Sequence, residues 1–335
     1  MTMRPTIRDV AAAAGVSVAT VSKAVNGRYG VASNTVEKVM RVVEELGYES
    51  SLIASSMRSR RSGVIGVLVA DFEPFSTEVL KGVSAGLRDK PYELLAYSAG
   101  HAQREGWERR SLSRLSGTLI DGVIMVTPSV VGAQSGDVPI VAIDPHAGPA
   151  DLPTVESDSF GGARDAVGYL IELGHTRIGY IAGRPDLRSS LAREAGYRRA
   201  LADAGLPADP NLIGAGRYMT DAAREAAATL LARSDRPTAI FAANDLSALA
   251  IIAVAGELGL RVPQDLSVVG FDDIPEASQA NPPLTTVRQH MQALGGRAVE
   301  TLVALMDGET VSETHLRLST RLVVRGTTAP PAGGS

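Results

Sequence analysis

The stretch that decides the organisation of this chain is Thr6-Ile7-Arg8-Asp9-Val10-Ala11-Ala12-Ala13-Ala14-Gly15-Val16-Ser17-Val18-Ala19-Thr20-Val21-Ser22-Lys23-Ala24-Val25-Asn26. Its first half predicts a short helix over about Ile7–Ala14, with Thr6 at the cap and Asp9 as the acid of a capping box. Gly15-Val16-Ser17 reads as a tight turn, because glycine suits the left-handed backbone needed between two steeply crossing helices. Ser17 can cap a second helix, about Val18–Asn26. Val21 and Val25 face inward from it and, with Val10 and Val16, form a miniature core, while Ala11 allows close approach. Further on, Ser33 or Asn34 opens a third helix. Its apolar stripe is Val36, Val39, Met40, Val43 and Leu46, stopped by Gly47. Residues 1–48 therefore make an all-α head.

Charge sets this head apart. The chain has 335 residues and a formal net charge of −4. Residues 1–61 hold nine Lys/Arg against five Asp/Glu, a net of +4 that leaves −8 on the remainder. A basic head on an acidic body implies that the head meets a polyanion. Residues 49–62 are small, polar and basic, and read as a linker with a helical turn or two.

From Gly63 the pattern alternates short apolar runs with amphipathic helices. The runs are Val64–Ala70, Glu93–Tyr97, Gly122–Val126, Ile140–Ile143, Ile178–Ala182, Ala239–Ala242 and Ser267–Phe271. Alternating βα units imply parallel sheets covered on both faces, and this many strands implies two sheets. The first lobe is expected at about 63–157 and 288–312, the second at about 158–287 and 313–326. The tail, 327–335, is rich in Pro and Gly and is expected to be disordered.

Several chemistries are excluded or weakened. The absence of cysteine removes disulfides and thiolate metal sites. The five histidines lie scattered without metal-ligand spacing, and there is no phosphate loop, so neither a metal nor a cofactor is expected. Gly82-Val83-Ser84-Ala85-Gly86 spells the hydrolase nucleophile motif, but it lies inside an amphipathic helix rather than on a strand-to-helix turn. An enzyme is not expected. With no long apolar run and no signal core, the expected location is the cytoplasm, with no membrane partner.

The segment 6–26 resembles, almost residue by residue, the head of the lac repressor/galactose repressor family of transcription regulators. The resemblance implies that Val18, Ala19 and Lys23 read bases. Lys23 can reach guanine acceptors, while the two small apolar residues can touch a thymine methyl. Thr6, Ser17, Thr20, Ser22, Asn26 and Thr35 would contact phosphates and set the register. Gly47-Tyr48-Glu49-Ser50-Ser51-Leu52-Ile53-Ala54-Ser55-Ser56-Met57-Arg58 is similar to the family's hinge helix, whose paired copies wedge open the minor groove. Met57 stands where the family usually has leucine, Ser50 where it has proline and Ser55 where it has arginine. A symmetric pair of heads reads a pseudo-palindrome of double-stranded DNA. The tail lacks the leucine heptads of the family's tetramers, so a homodimer is expected.

The body resembles the same family through Leu173-Gly174-His175-Thr176-Arg177-Ile178-Gly179, Val262–Asp273 and Pro282–Gln289. This implies an α/β two-lobed domain like that of the periplasmic sugar-binding proteins, with a small-molecule effector between the lobes at the strand ends. Asp272 matches the family's ligand-gripping aspartate and Tyr218 a cleft aromatic. Asp71, Phe75 and Ser76 follow the first strand. Asp144 and His146 follow Ile143, and Asp158 and Asn244 lie near lobe crossings. A ligand-binding arginine is expected between Gly183 and Arg193, where both Arg188 and Arg193 fit. Trp107, the lone tryptophan, is expected to pack.

The leading reading is a repressor whose operator affinity is lowered by a sugar or oligosaccharide inducer. A co-repressor such as a purine would reverse the sign. A solute-binding protein is a third reading, opposed by the attached head and the lack of a signal peptide.

Overall fold

The computed structural model describes residues 5–25, 30–46, 62–98, 107–116, 119–128, 138–146 and 152–332. The chain divides into two compact units, residues 1–62 and 63–335. Asn26, Met57 and nearly all of the expected hinge, 49–62, lie outside the described residues.

In the first unit, α1 (Ile7–Ala14), α2 (Val18–Val25) and α3 (Ser33–Leu46) form as the caps dictate. The Asp9 carboxylate accepts from the Thr6 backbone N–H and from its hydroxyl, both at 2.7 Å. Gly15 ends α1 at φ 63°, and the Val16 N–H donates back to the Ala11 carbonyl at 3.1 Å. Ser17 Oγ accepts from the Thr20 N–H at 3.1 Å and so caps α2. Val10, Ala11, Ala14, Val21, Ala24 and Val39 are buried together, with Val16, Val25, Val36, Val42 and Val43 around them. The predicted α3 stripe needs a correction. Met40 and Leu46 are exposed at 44% and 39%, and Val42 packs instead. A helix seated on two eight-residue helices buries a narrower face than the full amphipathic stripe offers.

The second unit holds two six-stranded sheets. In chain order its strands are β1 (Val64–Val69), β2 (Glu93–Ser98), β3 (Gly122–Val126), β4 (Ile140–Ile143), β5 (Thr154–Ser157), β6 (Ile178–Ala182), β7 (Ile213–Ala215), β8 (Ala239–Ala242), β9 (Ser267–Asp272), β10 (Thr285–Arg288), β11 (His315–Leu318) and β12 (Arg321–Val323). The first sheet runs β11-β5-β4-β3-β1-β2, all parallel. The second runs β12-β10-β9-β8-β6-β7 and is parallel except for β12. The helices are α4 (Pro74–Gly86), α5 (Trp107–Leu115), α6 (Ser159–Glu172), α7 (Arg188–Asp203), α8 (Thr220–Leu231), α9 (Asp245–Glu257), α10 (Pro275–Gln279) and α11 (Met291–Met306). β1, β3, β4, β8 and β9 are buried along their whole length, as parallel strands covered on both faces must be. Trp107 is buried against Leu68, Leu112 and Met125.

Two boundaries differ from expectation. β11 pairs in parallel with β5, so residues 313–318 belong with the first lobe, not the second. The chain crosses between lobes at Ser157–Ser159, Arg288–Met291 and Leu318–Arg321. At this junction the Asp158 N–H donates to the Leu318 carbonyl at 2.9 Å and the Thr320 hydroxyl to the Asp158 carbonyl at 3.3 Å.

The tail is the second correction. Thr327 is fully buried. Its hydroxyl donates to the Val268 carbonyl at 2.6 Å and accepts from the Thr285 N–H at 2.9 Å, and its carbonyl accepts from the Val268 N–H at 2.8 Å. Ser267 Oγ accepts from the Ala329 N–H at 3.0 Å, and His175 Nε2 meets the Ala329 carbonyl at 2.9 Å. Residues 327–332 are described and docked on the second lobe. The backbone groups at the starts of β9 and β10 supply partners that composition cannot reveal.

The hydrolase-like Gly82–Gly86 run finds its explanation in packing. A Cβ at Gly82 would overlap the Gln292 carbonyl, and one at Gly295 the Val79 carbonyl, so α4 and α11 touch backbone to backbone. Gly82→Ala is expected to lower stability by about 2 kcal/mol despite alanine's better helix propensity. A urea midpoint lowered at unchanged slope is the measurement that checks it.

Candidate ligand cleft and nucleic-acid interface

On the head, α2 presents one polar and weakly apolar face outward. Ser17, Ala19 and Lys23 are exposed, as is Val18 at 40%. Thr20, Ser22 and Thr35 are half-buried. The hydroxyls of Ser17 and Thr20 bond to each other at 2.8 Å, and that of Thr6 is spent on Asp9. The N-terminus of α2, with Lys23 one turn on, can offer donors to an anion.

On the body, strain marks the strand ends. Among the described residues, six that are not glycine have left-handed φ: Thr127 (48°), Asp144 (44°), Arg217 (52°), Tyr218 (61°), Asp272 (121°) and Asp273 (61°). Each lies at or just beyond the C-terminal end of β3, β4, β7 or β9. Such conformations cost about 1–3 kcal/mol apiece and persist where surrounding structure over-determines them.

Arg193, on α7, is at the centre, its side chain only 6% exposed. Its guanidinium lies 3.8 Å from the ring centre of Phe271 and 5.6 Å from that of Tyr218. Nη1 is 3.5 Å from Asp272 Oδ1 and donates to the Ala243 carbonyl, and Nε donates to Ser159 Oγ at 3.4 Å. Asp272 Oδ1 also accepts from Gln289 Nε2 at 2.6 Å. Burial pushes the Asp272 carboxyl up to about 7, against the pull of Arg193 and Gln289. Burial pushes Asp144 up to about 6, opposed by a bond from the Ser157 N–H at 3.0 Å. His146 is driven down to about 4 by burial and by Arg184. Asp245 is fully buried, accepting from the Ile274 N–H at 2.9 Å and the Thr286 hydroxyl at 2.5 Å. Burial and then Asp272 push it well above the usual range.

Several polar atoms here have no partner among the described residues: Gln289 Oε1, Ser157 Oγ, Tyr218 Oη and His146 Nδ1. A buried polar group left unpaired is costly, so this cluster is set up to receive hydrogen-bonding groups.

The remaining expected residues sort by geometry. Of the two arginines, Arg193 meets Asp272, while Arg188 is more exposed and lies 3.8 Å from Glu156. Glu156 also holds Arg317 at 2.8 Å. Arg188, Arg317, Glu156, Asp144, Ser157 and Asp158 help to line a recess of about 120 Å³. Asp158 caps α6, accepting from the Gly161 N–H at 2.9 Å, and Asn244 caps α9, accepting from the Ser247 N–H at 3.1 Å. Asp71 is exposed and turns back on the Phe72 N–H at 2.8 Å. Phe75 packs on the apolar core and Ser76 is buried on α4, so neither joins the Arg193 cluster.

Gln289, Asp245 and Glu73 were not singled out from sequence. Gln289 had a usable signal, being the polar residue just beyond a strand at a lobe crossing. Glu73 is exposed, yet desolvation raises its carboxyl and its charge reaches Asp272.

The raised carboxyls carry a pH signature with a definite sign. In the free protein, Asp272 and Asp144 stabilise the fold when protonated, and that contribution is lost as pH rises from about 4 through about 6 and 7. A ligand that donates a pair of hydrogen bonds to Asp272 favours its ionised form, so binding releases a proton. Affinity is expected to rise about tenfold from pH 6 to pH 8, the neighbours Arg193, Asp144, Asp245, Glu73 and His146 broadening the curve. Calorimetric titration in buffers of different ionisation enthalpy checks the proton release.

Residues 6–51 match the description "Bacterial regulatory proteins, lacI family", and residues 167–328 match "Periplasmic binding protein-like domain". The HTH-type transcriptional regulator CelR of Thermobifida fusca is 35% identical over 96% of this chain and 98% of its own length. A solved complex of the regulator CelR with cellobiose shares 34% identity, covering 97% of this chain and 100% of that one, with a TM-score of 0.71. The lac repressor dimer bound to operator and the anti-inducer ONPF shares 28% identity over 98% of this chain and 100% of that one, with a TM-score of 0.85.

Proposed function

Because the chain belongs to the lacI family of bacterial regulatory proteins, it is a DNA-binding transcriptional repressor under small-molecule control, and we propose that its effector is a sugar or oligosaccharide acting as inducer from the Arg193–Asp272 cleft. One observation carries this reading: a carboxylate and an orphaned amide oxygen stand beside an aromatic wall. Asp272 and Gln289 Oε1 suit paired hydroxyls, and Tyr218 suits the apolar face of a sugar ring. The likeness to a regulator solved with cellobiose supports the ligand class. Arg193 and Tyr218 hold the ligand with Asp272, and Asp144 and His146 approach from the first lobe. Arg188 and Asp158 lie at the rim.

On DNA, Val18, Ala19 and Lys23 read base edges. Ser17, Thr20, Ser22, Thr35 and Thr6 set the register on phosphates, joined by Asn26, and Met57 wedges the minor groove. Two copies of the chain act as a homodimer on a pseudo-palindromic operator in the cytoplasm. Among the described residues, no helix is long and apolar enough to cross a membrane. Ligand in the cleft lowers operator affinity only insofar as it binds the two lobe arrangements unequally.

Footprinting on the DNA upstream of the chain's own gene, at fixed moderate salt, tests this. A palindromic footprint relieved by a saccharide is the expected result, and Lys23→Ala is expected to weaken it by at least tenfold. A footprint strengthened by a purine would establish the co-repressor reading instead. No palindromic protection at all would overturn the assignment of the head.

A further inference from the structure

The cleft's balance of donors and acceptors defines its ligand more closely than the word sugar does; the argument rests on the sugar reading above. On the first-lobe side Asp71, Glu73 and Asp144 follow β1 and β4, and on the second-lobe side Asp272 and Asp273 end β9. The arginines around them are already matched. Arg193 is paired with Asp272 at 3.5 Å. Arg288 and Arg325 both go to Asp273, at 2.6 and 2.5 Å. Arg188 and Arg317 share Glu156, at 3.8 and 2.8 Å. Among the described residues, Glu73 and Asp144 have no ion-pair partner.

A second observation points the same way. Gln289 is 2% exposed, its amide N–H is given to Asp272, and its Oε1 is left without a donor. Gln289 Oε1 is therefore an acceptor that only a donor can satisfy, while the neighbouring hydroxyls of Ser157 and Tyr218 can donate or accept. A hydroxyl donates and accepts. A phosphate dianion or a carboxylate only accepts, and it brings negative charge against Glu73, Asp144 and Asp272. Among the described residues the one deeply buried cation, Arg193, is turned to Asp272, the Ala243 carbonyl and two aromatic rings rather than held in reserve for an anion.

We propose that this cleft takes an uncharged polyhydroxyl ligand and rejects the phosphorylated or carboxylated form of the same sugar, with Glu73 as a specificity-determining residue that repels the anion. The regulator then reports the free saccharide, upstream of any phosphoryl-transfer step that consumes it.

Calorimetric titration of the full chain with matched probes tests this: glucose against glucose 6-phosphate and glucuronate, and cellobiose against cellobionate and a phosphorylated cellobiose. The expected result is that any neutral sugar that binds loses at least a hundredfold in affinity when it carries the anionic group, and that Glu73→Gln narrows this ratio about tenfold. An anionic probe binding within threefold of its neutral parent overturns the proposal and leaves the sugar reading intact. A ratio untouched by Glu73→Gln overturns the role of Glu73. A panel in which no saccharide of either kind binds overturns the sugar reading, and this proposal with it.

Discussion

Replacing Asp272 by alanine is expected to abolish the rise in melting temperature that ligand produces, while operator binding in the absence of ligand persists. The carboxylate is the one acceptor in the cleft gripped at once by Gln289 Nε2 at 2.6 Å and by Arg193 at 3.5 Å. Its removal deletes the proposed ligand contact and releases the two groups that hold it, Gln289 and Arg193. Arg193 is left buried with its nearest counter-charge gone, a situation that costs about 3–5 kcal/mol in comparable pairs. Loss of ligand response could then reflect a weakened fold, so Asp272→Asn is the companion. It leaves no cavity, keeps the Gln289 neighbour and still offers an amide oxygen to Arg193, so it should lose less stability than alanine while binding ligand at least a hundredfold more weakly. Thermal shift against a saccharide panel, beside an operator-shift assay, reads both quantities, since a ligand that binds only the native state raises the midpoint by mass action. A shift that survives both substitutions would place the ligand elsewhere.

Truncation after Arg325 is the second large effect. Ending the chain there keeps the Arg325–Asp273 pair and removes the segment that satisfies Val268, Thr285 and Ser267. Among the bonds that go with it are four to these three residues: Thr327 to the Val268 carbonyl, the Thr285 N–H to Thr327, the Val268 N–H to the Thr327 carbonyl, and the Ala329 N–H to Ser267. At about 1 kcal/mol for each bond, with the added penalty for groups that stay buried, the expected loss is about 4 kcal/mol or more. That is a large share of the stability of an ordinary domain. Thr327→Val isolates the hydroxyl and is expected to cost about 1–3 kcal/mol by leaving the Thr285 N–H unpaired. Urea unfolding checks both. A truncated chain as stable as the full one would mean that the tail merely rests on the second lobe.

Recognition of this chain from its residues rested on local signals. Thr6, Gly15 and Ser17 act on neighbours three or four positions away, so the three helices of the head could be read before any folding was considered. The longer βα units were legible for the same reason, since seven apolar runs each made a strand. The strands that escaped notice, Thr154–Ser157, Ile213–Ala215, Thr285–Arg288, His315–Leu318 and Arg321–Val323, are three or four residues long. Such segments show too little periodicity to stand out. The family resemblance pointed to the strand ends, where Arg193, Tyr218 and Asp272 come together, yet it left Arg188 and Arg193 level.

Sequence by itself determined the head, the alternation of strands and helices, and the residue types near the strand ends, because each follows from chemistry within a few positions along the chain. Tertiary structure alone decided which arginine meets Asp272. Five helical steps separate the two, turning their side chains about 140° apart at roughly 100° per residue. Only the packing of α7 on α6 selects the face that points into the cleft. It also decided the fate of the tail, whose order depends on open backbone groups of β9 and β10 some 40–60 residues earlier, a distance over which composition carries no information.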